Sequence, residues 1–264
     1  MGTNRKTVTR VISKLVKTRL LLHHRQLAKH IPDTRPFTRR HLANMLNRYK
    51  MVYVKPDGGS LGVGVVRVEK RGSSYRYQSG IRSFTFGTFE ELFTTLKKHA
   101  GSRRYLVQKG IHLLKFEGRP FDFRVMIQKN PARQWEPTGT VGRVAHPRKI
   151  VTNGSQGSTI YPATDLMKGH ADGHKAVEVL RQMNRIARLT AARFSRTYPA
   201  INELGLDIAV DRNMKPWILE VNTHPDPCPF TKLEDKKAIR KIVAFAKTYG
   251  RRYCLKCAKA KKGR

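Results

Sequence analysis

The arrangement of apolar residues predicts an α+β fold built on antiparallel sheets, and three observations carry that expectation. Segments of alternating hydrophobicity come in neighbouring pairs joined by short loops rich in glycine or turn formers, as hairpins require. Longer segments repeat apolar residues at helical spacing. The two kinds are intermixed without the regular alternation of a parallel βαβ array, and the sequence shows no internal repeat.

Residues 1–50 are strongly basic, with Asp33 as their one acid. Val8, Val11, Ile12, Leu15 and Val16 recur at helical spacing with Arg10, Lys14 and Lys17 between them, so an amphipathic helix is expected to dock this stripe on the core. The same acid-poor makeup also fits a membrane-surface helix or an organelle-targeting peptide. Thr38 to Tyr49 reads as a second short helix. Met51 to Lys55 and Val63 to Val68 are strands flanking a glycine-rich loop, and Arg76 to Phe86 supplies another strand. Glu90 to His99 is helical in pattern, and Tyr105 to Lys109 is a short apolar strand. Phe121 to Gln128 alternates like a sheet strand, with Glu136 to Val144 placed to pair with it. After a Gly/Ser/Asn-rich loop over 152–158, Ala176 to Phe194 draws one apolar helical face. Leu206 to Val210 and Trp217 to Val221 form a hairpin, and a basic helix follows. The expected organisation is a basic helical segment over 1–35, a core over 36–250 and a basic tail over 251–264.

With 264 residues, 39% of them hydrophobic, the chain can bury one large core or two joined lobes. No apolar run reaches the roughly 18 residues of a membrane span, and the N-terminus lacks a secretory h-region, so a cytoplasmic protein is expected. Three cysteines are too few for a disulfide framework. Cys254-x-x-Cys257, with Cys228 and His224, lacks the second properly spaced pair of a zinc site, so free thiols in a basic tail are expected. The charge stands apart: 54 Lys and Arg face 18 Asp and Glu, a net +36. Such a surface seeks polyanions, whether an acidic peptide or polymer, an anionic membrane, nucleotide phosphates or nucleic acid. For nucleic acid, no familiar docking motif is visible and the aromatics are not clustered with the basic residues.

Three constellations bear on chemistry. In the last hairpin, a turn centred on Asn213-Met214 sets Asp207 opposite Glu220, and Asn222 points to the same face. Two carboxylates so placed repel. Either a divalent cation such as Mg²⁺ sits between them, with the Asn222 carbonyl as third oxygen, or each pairs with Lys or Arg. Asp211, at the turn, is expected to bond the turn backbone. The second constellation is Lys55-Pro-Asp-Gly-Gly-Ser-Leu-Gly-Val-Gly64. Its glycines let backbone N–H groups approach phosphates, although it joins two strands and is neither a Walker nor a Rossmann loop. An ordinary flexible turn explains it equally. The third is Asp122 and Arg124 on one strand face, with Arg143 on the neighbouring strand, suited to phosphoryl oxygens or to a plain Asp–Arg pair.

In this order, and in the wording of Val52 to Gly64, Phe121 to Asn130, Glu203 to Asp211 and Trp217 to Asn222, the chain resembles ATP-grasp proteins of the YheC/YheD type, described as endospore coat-associated. The likeness implies two α+β lobes with antiparallel sheets sandwiching ATP: a flap lobe over about 50–107 and a larger catalytic lobe over about 108–250. It implies that Lys55 binds phosphates and that the loop of Asp57, Gly58, Gly59, Ser60, Gly62 and Gly64 closes over them. Gln108, Lys109, Gly110 and Ile111 become the hinge strand against adenine, and Asp207, Glu220 and Asn222 the Mg²⁺ ligands. Arg124 and Arg143 face the γ-phosphate or an acyl phosphate, and Asn153 borders the acceptor site. A short basic helical segment stands where such enzymes carry a preceding domain, and Lys109-Gly110 occupies a hinge that often holds an acid. The resemblance implies an ATP-dependent carboxylate-amine ligase with a link to the spore coat. The charge suits a second reading, a non-catalytic nucleotide-binding protein docking on a polyanion.

Overall fold

The computed structural model describes residues 7–59, 62–147, 152, 157–257 and 260–263. Two sheets organise them, antiparallel throughout except where Lys261–Lys262 pairs in parallel with Thr159–Pro162. The first takes the order β1-β6-β2-β3-β4-β5, built from Thr34–Pro36 (β1), Met51–Pro56 (β2), Val66–Arg71 (β3), Ser74–Ser79 (β4), Arg82–Phe86 (β5) and Tyr105–Lys109 (β6). Side chains alternate along β2. Val52 and Val54 bury against helices Arg39–Tyr49 (α3) and Phe89–Ala100 (α4), while Tyr53 and Lys55 face a cleft. A capping box starts α4: Thr88 accepts from the Glu91 backbone, and the Glu91 carboxylate accepts from Thr88 N–H.

The second sheet contains Arg119–Lys129 (β8), Trp135–Val144 (β9), Thr159–Pro162 (β10), Glu203–Val210 (β11), Pro216–Asn222 (β12) and Lys261–Lys262 (β13), with Lys115–Phe116 (β7) paired to β8. Phe121, Phe123, Val125 and Ile127 of β8 join the core under the helix Gly173–Thr197 (α6). On the opposite face Asp122 reaches the cleft, while Arg124 is buried against Asp207. Met126 packs there with Phe230 and with Ile239 and Ile242 of the helix Lys237–Thr248 (α7). A short helix, Ala163–Lys168 (α5), covers the β9–β10 edge.

Four expectations change. Residues 76–86 form the hairpin β4–β5 rather than one strand, because Gly80 takes φ +57° and reverses the chain. β3 starts at Val66 rather than Val63, residues 62–64 forming a turn instead. Cys228 and Cys257, expected as free thiols, form a disulfide, leaving Cys254 free and exposed. The tail folds back, Lys232 Nζ donating to Cys257 O at 2.9 Å and β13 pairing with β10, which brings together cysteines 29 residues apart.

The fourth change concerns the N-terminal helices, Lys14–Leu22 (α1) and Arg25–Ala28 (α2). The expected apolar stripe does not all face inward: Ile12 and Val16 are 61% and 43% exposed, whereas Lys14 and Lys17 are buried. Leu21 and Leu27 anchor the segment in the core of the second sheet. Among the described residues no helix is long and apolar enough to cross a membrane.

The α5–sheet contact depends on glycine. A Cβ on Gly142 would lie 2.2 Å from Leu166 Cδ1 and 3.0 Å from its Cγ. Gly142→Ala should therefore destabilise by about 1–3 kcal/mol. Adding Leu166→Ala should recover part of that loss, so the double variant will be less destabilised than the two single changes combined. Urea unfolding of the four proteins measures the coupling; strict additivity would contradict the contact.

Candidate functional site

A cleft opens between the two sheets. Its walls include Tyr53 and Lys55 of β2, Gln108 and Lys109 of β6, Gly58, Gly59, Gly62 and Val63 of the loop, and Asp122, Asp207, Leu219 and Glu220 of the second sheet. Ile111, Leu113 and Thr152 complete it. Gly64 lies behind the loop at φ +74°, where a Cβ would sit 2.8 Å from Tyr105 Oη. Ser60 and Asn153 lie outside the described residues; Thr152 is the described neighbour of Asn153.

Lys55 Nζ donates to Gln108 Oε1 at 2.8 Å and to the Leu219 carbonyl at 3.2 Å. That carbonyl is available because β12 carries a bulge. Ile208 pairs with Ile218 and Asp207 with Glu220, so Leu219 is the extra residue. The same bulge sets Asp207 opposite Glu220, although the hairpin turns one half-residue earlier than Asn213-Met214 implies. Asp211 Oδ1 accepts from the backbone N–H groups of Asn213 and Lys215, as expected, and Asp211 Oδ2 accepts from Trp217 Nε1.

The sequence did not reveal Lys14 and Lys17 as site residues. Lys14 Nζ donates to Gly59 O at 2.8 Å and stands 3.6 Å from a Glu220 oxygen. Lys17 lines a smaller recess behind Lys55. Ser13 caps α1 and donates to both Asp57 oxygens, while Leu15 N–H donates to Asp57 Oδ1 at 2.8 Å. The one available signal was lysines at i and i+3 interrupting an otherwise apolar stripe. Burial pushes Lys55 down to about 8, with Glu220 opposing the shift and Lys14 and Lys17 adding to it. Burial likewise pushes Lys17 down to about 8, against the attraction of Glu220.

Asp207, Glu220 and Asn222 share one face of the β11–β12 hairpin. Asp207 is already engaged: Arg124 Nε donates to Oδ1 at 2.6 Å, and Arg143 Nη2 lies 3.2 Å from Oδ2. Arg143 also forks onto both Asp122 oxygens, at 2.8 and 2.6 Å. Both arginines are buried beside Asp207 rather than on the cleft wall. Burial alone would raise the Asp207 carboxyl, but Arg124 and Arg143 outweigh it and hold the group below the usual carboxylate range. Burial works against the Arg143 charge as well, and Asp122 and Asp207 more than offset it.

Each Asp207 oxygen keeps a second lone pair beyond its arginine contact. Two carboxylates and an amide carbonyl are hard oxygen donors, so the set fits Mg²⁺, which fills its shell with phosphate oxygens and water. Among the described residues no three His, Cys, Asp or Glu side chains converge on a metal position.

The crossing at Lys109-Gly110 is fixed by backbone contacts. Lys109 N–H donates to Asp33 O and Gly110 N–H to Met51 O, at 2.8 and 2.9 Å. A Cβ on Gly110 would lie 2.9 Å from that same oxygen, so the crossing requires glycine. The Lys109 ammonium sits between the Tyr49 and Trp217 rings, at 5.3 and 5.0 Å from their centroids.

The chain belongs to the YheC/D like ATP-grasp family, whose pattern it matches over residues 5–252. It is 29% identical over 215 residues to the endospore coat-associated protein YheD of Bacillus subtilis (strain 168), covering 76% of this chain and 47% of YheD. It is 26% identical over 210 residues to YheC of the same organism, covering 78% and 57%. The chain thus spans about half the length of these relatives. D-cycloserine synthetase DcsG shares the fold, with a TM-score of 0.57 at 12% identity, over 90% of this chain and 70% of that one.

The buried lysines tie stability to pH. An unfolded lysine stays protonated to about 10.4, whereas folded Lys17 and Lys55 release their protons near 8. The unfolded state therefore binds more protons above pH 8, and stability rises with pH there, by at most about 1.4 kcal/mol per pH unit for each lysine. Below pH 8 both states are protonated and the penalty is constant. Chemical unfolding should give higher stability at about pH 9.5 than at about pH 7.5. Lys17→Met should be more stable than the wild type at the lower pH, with the gap narrowing at the higher. A gap that does not depend on pH would refute the buried lysine.

Proposed function

We propose that the chain binds Mg-ATP in this cleft and uses it to join a carboxylate to an amine. The observation that carries the reading is the placing of Lys14 and Lys55 beside the Asp207–Glu220 pair, under the glycine loop. Fixed cations there meet phosphate charge, and paired carboxylates meet a divalent ion. Backbone N–H groups of the loop add donors without adding bulk.

In this reading adenine lies along Gln108, Lys109, Gly110 and Ile111, and the triphosphate runs past Lys55 and Lys14. The γ-phosphoryl group passes to a substrate carboxylate oxygen and ADP leaves. An amine lone pair then attacks the acyl carbon, phosphate departs with the C–O electron pair, and the amine proton goes to solvent. When bound at Asp207, Glu220 and Asn222, Mg²⁺ neutralises the β- and γ-phosphate oxygens. Lys55 and Lys14 stabilise the same charge electrostatically, so no side-chain nucleophile is needed. Arg124 and Arg143 hold the Asp207 carboxylate ionised and oriented, their role here being positioning.

The +36 charge favours a second reading, in which the nucleotide site is kept without turnover and the basic surface docks on a polyanion in the spore coat. The names of YheD and YheC support that location.

Calorimetry with Mg-ATP tests the shared part. Phosphate charge draws protons back onto the depressed lysines, so binding near pH 8.5 should take up protons, read from buffers of different ionisation heat. Lys55→Met should weaken ATP at least about tenfold, the worth of one charge-assisted contact. Glu220→Gln should abolish the gain from adding Mg²⁺ while leaving metal-free binding in place. Failure of the wild type to bind ATP would defeat both readings. ADP release stimulated by an acidic peptide selects the ligase; binding without turnover across a panel of carboxylates selects the docking protein.

A further inference from the structure

Outside the cleft the surplus of cations is unevenly spread. Residues 1–32 and 179–202 contain no acid, and the fold sets these two stretches side by side. α1 and α2 both contact α6, and Arg193 Nε donates to Leu20 O at 3.2 Å. At 3.6 residues per turn, Arg181, Arg185, Arg188 and Arg196 of α6 fall within a stripe about 80° wide and about 22 Å long. All four are exposed. Among the described residues no carboxylate pairs with any of them, and Arg188 donates only to the Trp135 carbonyl, at 2.9 Å. Arg19 and Arg25 are exposed on the neighbouring helices.

We propose that this arginine face of α6 binds the phosphate backbone of duplex DNA without reading its sequence. Every cation of the stripe is an arginine, whose planar fork meets two phosphate oxygens at once. A duplex carries phosphates every few ångströms along its axis, so about 22 Å of helix spans enough of them for all four side chains. Phe194 and Tyr198, the only aromatics of the two stretches, are buried. Trp135 borders the face but is half-buried, tied to Ser195 through its indole N–H and covered by the Lys129 ammonium, so little platform remains for stacking unpaired bases, which is how single strands are held. This rests only on the docking half of the second reading, that the basic surface holds a polyanion, and does not depend on the nucleotide site or on the location.

Fluorescence anisotropy with the full chain and a labelled duplex of about 20 base pairs tests it. Four phosphate contacts give a slope of log K against log salt near about −3.6, an affinity loss of about 150-fold between about 50 and about 200 mM salt. Combining Arg181→Glu, Arg185→Glu and Arg188→Glu should flatten that slope by about 2.7. Combining Lys97→Glu, Lys98→Glu and Arg103→Glu on the first lobe, the same change of charge, should leave it nearly as it was. Equal flattening by both sets, or none by the α6 set, overturns the assignment of the face. Tighter binding of polyglutamate than of duplex at equal salt overturns the choice of partner. Should the wild type bind neither, the polyanion reading itself fails. Mg-ATP affinity equal to the wild type shows that the α6 variant is folded; if it is not, the three Arg→Gln changes carry the same slope test.

Discussion

A buried set of opposed charges governs how this chain can fold. Lys14, Lys55, Arg124 and Arg143 meet Asp57, Asp122, Asp207 and the half-buried Glu220 in and around one cleft, and they come from both sheets and from α1. Removing one member of a buried pair typically costs about 3–5 kcal/mol, because the other is left desolvated and alone. The direction of α1 follows from that magnitude. Ile12 and Val16 are already partly buried, so turning the helix to hide the remainder would gain only about 1.6–3 kcal/mol for the two together. It would also withdraw Lys14 from Glu220 and from the Gly59 carbonyl. Electrostatics outweighs amphipathicity here, and a helix exposes part of its apolar stripe as a result.

The same charges link the two lobes. Ser13 and Leu15 bind Asp57 at the root of the glycine loop, Lys14 reaches Gly59 farther along it, and Val11 N–H donates to Thr223 Oγ1 just beyond Asn222. A strap of five residues thus runs from the loop to the end of β12. Movement of the loop must either carry α1 with it or break these bonds. Opening of the cleft is therefore coupled to the N-terminal segment, a coupling that follows from geometry and not from the contents of the site.

Period-two patterns make most of the site legible in the amino-acid sequence. Alternation places Lys55 on the cleft face of β2, and Asp122 with Arg124 on one face of β8. Pairing places Asp207 opposite Glu220, but by a compensating route: the turn is centred on Asn213, and the extra residue at Leu219 restores the partner. A bulge leaves no mark that alternation can read. The inward lysines stay hidden because helix periodicity weighs apolar area and not the charge waiting inside. An Asp–Arg pair between β8 and β9 is legible as one of two alternatives, whereas the reach of Arg143 to Asp207 appears only once the register of three strands is set. The Cys228–Cys257 bond depends on the return path of the tail, which no local spacing encodes.

The two kinds of positive charge in this molecule differ in what they can recognise. Within the cleft, cations are matched by carboxylates and held by hydrogen bonds, so their field is local and geometry decides what fits. On the Arg181–Arg196 stripe of α6 no carboxylate among the described residues pairs with them, so their field extends about 8–10 Å at ordinary ionic strength and is open to screening. A small anion selected by the first set should feel added salt weakly, because few counterions are displaced from a buried site. A polymer held by the second should feel it steeply, since each phosphate neutralised releases its own. Salt would therefore separate the two proposed functions within one chain, and would do so without altering a residue.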